Sequence, residues 1–100
     1  APLGYLDMLS MTSNARGLLT DSGGLQEEGC YLRIPTLTLR PNTERPITID
    51  CGTNRLVASE TASILDAARE SFDRPVVGTS PELWDGQTSP RIVDALNRCL

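Results

Sequence analysis

A glycine pair joins an apolar strand to a helix in the run Leu18-Leu19-Thr20-Asp21-Ser22-Gly23-Gly24-Leu25-Gln26-Glu27-Glu28, and that junction restricts the fold more than any other stretch. Gly17-Leu18-Leu19-Thr20 reads as a short buried strand and Gly24 to about Leu32 as the helix behind it, so the chain turns tightly where the strand ends. A helix that begins at Gly23 or Gly24 offers backbone N–H groups without intrahelical partners and the positive end of its dipole, which together favour phosphate. Glycine there lets an anion approach the backbone closely. Glu28, four residues past Gly24, returns to the same face roughly 6 Å along the axis. That is about the step from a diphosphate to the ribose of the same nucleotide. A carboxylate accepts two hydroxyl hydrogen bonds, so Glu28 is the candidate holder of a 2′,3′-diol while Ser22, Gly23 and Gly24 hold the diphosphate. A glycine pair also serves as a plain tight turn, but the carboxyl end of a strand is where α/β folds bind ligands. Glu27, turned about 100° from Glu28, reads as an ordinary surface acid.

Strands and helices alternate along the rest of the chain. Residues from about Gly4 to Asn14 place Tyr5, Leu6, Met8, Leu9 and Met11 at helical spacing. Ile34 to Leu39 alternates and is β-branched, a second strand with Pro35 at its entry. After a loop at Pro41-Asn42, Glu44-Arg45-Pro46 opens a short helix with Pro46 in its first turn and Gly52 just past its end. Asn54 to Ala58 is a third strand. Ser59 is the expected N-cap of a helix to about Phe72 in which Ile64, Ala68 and Phe72 recur every four residues. Pro75 to Gln87 is an irregular connection carrying Trp84-Asp85-Gly86, and Ser89-Pro90 starts a last helix that is expected to bury Ile92, Leu96 and Leu100. The pattern predicts an α/β fold, a Rossmann-like parallel sheet with helices on both faces. Three strands are few for such a sheet, and the chain opens on Ala1-Pro2-Leu3-Gly4 rather than Met. We therefore expect residues 1–100 to form a single partial domain, a fragment or processed product corresponding to the second half of a Rossmann-like domain.

Composition narrows the chemistry by what is missing. With no histidine and no lysine in its 100 residues, the chain excludes imidazole acid/base work, a Ser-His pair, Schiff-base chemistry and histidine-bound metal. Carboxylates, Tyr5, Tyr31 and the cysteines remain as acid/base candidates. A net charge of −4 with scattered arginines argues against a nucleic-acid platform, and neither a leader segment nor an 18-residue apolar span points to a membrane. Cys30, Cys51 and Cys99 are odd in number and widely spaced, which predicts reduced, mostly buried thiols in the cytosol and no zinc site. No metal and no cofactor are expected. Arg45, at a helix start on the same sheet edge as the glycine turn, opposes the dipole unless it meets an anion, and so joins the candidate binding residues. Glu44 reads as a favourable charge at that helix start. Trp84 reads as a core or interface anchor, Asp66 and Glu70 as a solvated face, and Asp94 with Arg98 as an ordinary i,i+4 pair.

Thr20-Asp21-Ser22-Gly23-Gly24-Leu25-Gln26-Glu27-Glu28, Leu37-Thr38-Leu39-Arg40, Thr43-Glu44-Arg45-Pro46 and Gly52-Thr53-Asn54-Arg55-Leu56-Val57, followed by Trp84-Asp85-Gly86 and Arg91-Ile92-Val93, closely resemble the C-terminal part of non-hydrolysing UDP-N-acetylglucosamine 2-epimerases. The resemblance implies the second half of the C-terminal domain of a GT-B fold, in which two Rossmann-like domains face each other across a cleft. It implies interconversion of UDP-N-acetylglucosamine and UDP-N-acetylmannosamine, precursors of cell-surface polysaccharide, by elimination and re-addition of UDP. Carried over by motif, Ser22 with the Gly23-Gly24 backbone holds the diphosphate, Glu28 the ribose hydroxyls, and Arg45 lies near the diphosphate or the sugar. The family's acid/base carboxylates belong to its N-terminal domain and its cleft histidine to an earlier segment, so no catalytic residue is expected here and the chain alone is expected to be inactive. The implied partners are UDP-N-acetylglucosamine or UDP, the missing N-terminal part of the same enzyme and, at full length, a second copy in a cytoplasmic homodimer. Met8 stands where many relatives carry an aromatic residue, and Ala58 where many carry glycine, so base stacking is not carried over to the first helix. Two other readings share these residues: a free-standing or degenerate nucleotide-sugar binding module, and the donor domain of a GT-B glycosyltransferase, against which Thr43-Glu44-Arg45-Pro46 argues.

Overall fold

Three strands of three residues each, β1 (Leu18–Thr20), β2 (Thr36–Thr38) and β3 (Asn54–Leu56), form a parallel sheet in the order β1-β2-β3 in the computed structural model, which describes residues 1–73 and 80–100. Leu18, Thr36 and Asn54 stand side by side across the sheet, as do Leu19, Leu37 and Arg55, and Thr20, Thr38 and Leu56. The helices are α1 (Tyr5–Ser13), α2 (Gly23–Leu32), α3 (Pro46–Asp50), α4 (Thr61–Phe72) and α5 (Thr88–Cys99). Parallel neighbours need a crossover, and α2 and α3 supply the two.

Period-two alternation divides the sheet into two chemically different faces. Toward α4 point Leu37 and Val57, which with Ala67 make the apolar core, flanked by Leu39, Ile64, Ala68 and Phe72. Toward α2 point Leu18, Thr36, Thr38 and Asn54, of which all but Leu18 are polar and all four are buried. Gly29 lets α2 sit directly on this face: a Cβ there would overlap Thr36 Oγ1 and lie 3.1 Å from Leu18 Cδ1. Helices thus cover both faces, as the alternation predicts.

Several boundaries and burials differ from the sequence expectation. Val57 N still donates to Thr38 O at 2.9 Å, and the chain then turns through Ala58 O accepting from Glu60 N at 2.8 Å. That turn consumes Ser59, so Glu60 rather than Ser59 is the N-cap of α4. The last helix starts at Thr88, one residue before Ser89-Pro90, with Gln87 as its N-cap. Pro90 remains in the first turn, where a missing N–H breaks no helical bond. Ile92 at 53%, Leu96 at 55% and Leu100 at 98% exposure are not buried, because no element among the described residues covers that side of α5. The radius of gyration is accordingly 15.7 Å, against about 13 Å for a compact chain of this length. Cys30 is buried and Cys51 half-buried, but Cys99 is exposed; all are free thiols. Burial first, and the neighbouring Cys30 second, push the Cys51 thiol up. Of the expected irregular connection from Pro75 to Gln87, the part before Ser80 lies outside the described residues. No helix of the described residues is long and apolar enough to cross a membrane.

Candidate functional site

The carboxyl ends of β1 and β2 bring the glycine turn and the loop before α3 together. Ser22, the N-cap of α2, has extended backbone at φ −84° and ψ 134°, and its hydroxyl makes no cap hydrogen bond. Its N–H donates to Thr20 Oγ1 at 3.0 Å, which fixes the turn as it leaves the strand. The first N–H groups of α2, at the carboxyl end of β1, have no intrahelical acceptors. A Cβ on Gly23 would stand 3.9 Å from Arg45 Nη2 and 4.0 Å from Glu44 Oε2. Arg45 is therefore beside the turn, as its position in the sequence predicts.

The partner of Arg45 in this structure is Glu27, whose carboxylate pairs with the guanidinium Nε. Gly23 and Glu27 are four residues apart and share the helix face that looks at Arg45, whereas Gly24 and Glu28 share the next. The reading of Glu27 as an ordinary surface acid is corrected on this point. The two side chains are 41% and 44% exposed, and such a pair contributes only about 0–1 kcal/mol; the paired Nε is itself buried, and Nη2 is the guanidinium atom beside the turn. Glu44 is held instead by Arg40, at 2.9 Å and 3.2 Å from its two carboxylate oxygens. That hydrogen-bonded guanidinium draws the Glu44 pKa below its ordinary value.

Beneath the turn lies a buried polar layer that sequence reasoning missed. Gln26 is fully buried; its Nε2 donates to Ser22 O at 3.3 Å, and its Oε1 accepts from Thr43 Oγ1 at 2.5 Å and Asn54 Nδ2 at 3.0 Å. Asn54 Nδ2 also donates to Thr48 Oγ1 at 3.0 Å, and Asn54 Oδ1 accepts from Thr38 Oγ1 at 2.6 Å. The signal was present in the strands. A parallel strand covered on both faces normally reads as a continuous apolar run, and Thr36 and Thr38 break that pattern.

Glu28 lines a cleft of about 600 Å³ together with Glu27, Tyr5, Leu9, Tyr31 and Trp84. Trp84, read as a core or interface anchor, is half-buried on this wall. Its loop is clamped to α5 by Arg91, which donates through Nη1 and Nη2 to the two Asp85 oxygens at 2.9 Å and 2.5 Å, and through Nη1 to Leu83 O at 3.3 Å. Gln87 N adds a 3.0 Å bond to Asp85 Oδ1. Arg91 first, and the Gln87 N–H second, hold the Asp85 carboxyl down at about 2. The clamp carries the tight loop, in which Leu83 at φ 71° and Gly86 at φ 78° are left-handed; for leucine that conformation costs roughly 1–2 kcal/mol. Asp66 with Arg69, and Glu70 with Arg55, form exposed pairs, as does Asp94 with Arg98.

A sequence model of the UDP-N-acetylglucosamine 2-epimerases matches residues 1–97. The UDP-N-acetylglucosamine 2-epimerase of Methanocaldococcus jannaschii is 41% identical over 95 residues, 95% of this chain and 26% of that protein. The enzyme of the same name from Methanococcus maripaludis is 49% identical over 93 residues, covering 93% and 25% of the two. The crystal structure of the Methanocaldococcus jannaschii epimerase in complex with UDP-GlcNAc and UDP superposes with a TM-score of 0.85 at 40% identity, over 97% of this chain and 26% of the other. The chain thus spans about a quarter of the length of the relatives it matches. It belongs to the UDP-N-acetylglucosamine 2-epimerase family.

Proposed function

We propose that this chain is the UDP-holding part of an enzyme that interconverts UDP-N-acetylglucosamine and UDP-N-acetylmannosamine by elimination and re-addition of UDP. The observation that carries the reading is the Arg45 guanidinium standing beside the open N-terminus of α2. Two positive features converge there on the place a diphosphate would take. Ser22 and the Gly23 and Gly24 backbone hold the phosphates, Arg45 neutralises them, and Glu28 accepts from the ribose hydroxyls across the adjoining cleft. As the bond from sugar to diphosphate breaks, negative charge grows on the departing UDP. Preorganised donors aimed at that charge lower the barrier without moving a proton. The chain has no histidine and no lysine, and proton transfer falls to groups elsewhere in the enzyme; residues 1–100 alone are inactive. We place these residues in the second half of the C-terminal domain of a cytoplasmic homodimer, a location with which three free thiols agree.

Calorimetric titration with UDP tests the site. Arg45→Ala and Glu28→Ala should each weaken binding about tenfold or more, the scale of a lost charged hydrogen bond. Inorganic diphosphate should bind the parent and Glu28→Ala equally, because only Arg45 and the turn touch it. Parent-like UDP binding by both variants would place the site elsewhere.

A further inference from the structure

We propose that Gln26 is a positioning residue for the diphosphate site, its buried amide locking the Ser22-Gly23-Gly24 turn and the Arg45 loop into one geometry. This role presupposes the UDP site proposed above and adds to it the element that sets its shape. Donor and acceptor roles in the layer follow from one another. Arg45 N donates to Thr43 Oγ1 at 2.9 Å, which leaves the Thr43 hydroxyl proton for Gln26 Oε1. Gln26 Nε2 is then turned to the Ser22 carbonyl. Thr48 Oγ1 donates to Arg45 O at 2.7 Å and so accepts from Asn54. Reversing the Gln26 amide would set its NH₂ against that of Asn54 and leave the Ser22 carbonyl facing an acceptor.

The layer therefore has one satisfied arrangement, and in it Arg45 is held at its backbone N–H through Thr43 and at its carbonyl through Thr48. Both ties run through Gln26 or its direct partner Asn54 to the turn. An apolar side chain of the same volume would fill the position without burying an amide. What the amide adds is a fixed relation between the α2 N-terminus and Arg45, the two groups on which a diphosphate depends. A fully satisfied buried network rigidifies the groups it joins, and an unpaired member is costly, so a single deletion is expected to register at the site.

The complete gene product is titrated with UDP and inorganic diphosphate by calorimetry and with uridine by ligand-observed NMR, as parent, Gln26→Met, Thr43→Val and Thr43→Ser. Gln26→Met and Thr43→Val should bind UDP and diphosphate about tenfold or more weakly, with uridine unchanged. Thr43→Ser, which keeps the hydroxyl, should bind as the parent does. A general folding defect would weaken uridine and UDP alike and overturn the role, as would parent-like UDP binding by Gln26→Met or equal loss in Thr43→Ser and Thr43→Val. If Gln26→Met does not fold, the half-buried Thr43 pair decides the matter alone. A parent that fails to bind UDP refutes the site itself; a parent that binds, with unaffected variants, refutes only Gln26.

Discussion

A methyl group added at Gly23 and one added at Gly29 meet opposite surroundings in the same helix. At Gly23 the nearest atoms are 3.9 Å and 4.0 Å away, ordinary contact distances, so Gly23→Ala should fold with unchanged or slightly raised stability. Its Cβ nevertheless intrudes where an anion would meet the backbone, and UDP binding should fall. At Gly29 the Cβ would overlap Thr36 Oγ1, and overpacking of this kind costs about 1–3 kcal/mol. Thermal melts and UDP titrations of the two variants should therefore separate: Gly23→Ala loses binding, Gly29→Ala loses stability. Equal melting losses in both would contradict the packing described. The sequence pointed to both glycines of the turn and to Arg45, but it did not pair Glu27 with that arginine. Periodicity reports which residues share a helix face, and it does not report which face meets Arg45; only the docking of α2 assigned Glu27 to that side.

At the scale of elements, the Trp84 loop and α5 are joined by the Asp85 and Arg91 side chains, and that junction depends on pH. Asp85 has its pKa held at about 2 against an ordinary 3.8. A depressed carboxylate contributes stability that is complete above its ordinary value and disappears as pH falls through the folded one. The junction should hold above about pH 4 and open as pH approaches 2. Trp84 is the chain's single tryptophan, so its emission reports the opening. Arg91→Gln should move the midpoint of that transition up toward 3.8, the ordinary value, and an unmoved midpoint would show that Arg91 is not the cause. The motif residues Trp84-Asp85-Gly86 and Arg91 were legible in the sequence; their pairing was not, because the partners are six positions apart with left-handed Gly86 between them. The strand-helix alternation was legible throughout. The start of α4 was displaced because the turn at Ala58 to Glu60 uses a residue that reads equally well as a cap.

Over the whole molecule, stability is concentrated on the sheet and is thin on α5. Leu37 is fully buried, and Leu37→Ala should cost about 2–5 kcal/mol. Ile92 and Leu96 are more than half exposed, so the double change Ile92→Ser with Leu96→Ser should cost no more than about 1 kcal/mol. A melting shift of the double variant as large as that of Leu37→Ala would show that α5 packs on the sheet. The amphipathic spacing of Ile92, Leu96 and Leu100 reads as burial because a periodic apolar stripe states what a helix prefers, not what is there to cover it. By itself the sequence determined the order and type of elements, the parallel α/β architecture, the anion-favouring turn and the chemistry that the missing histidine and lysine exclude. Those follow from residue type and local spacing, which act over a few bonds. Tertiary structure alone decided that Glu27 meets Arg45, that Gln26, Thr43, Thr48 and Asn54 close one largely buried network, and that no element among the described residues covers the apolar side of α5. Each of these depends on which faces are pressed together across the sheet, a relation between residues up to 28 positions apart that no local pattern encodes.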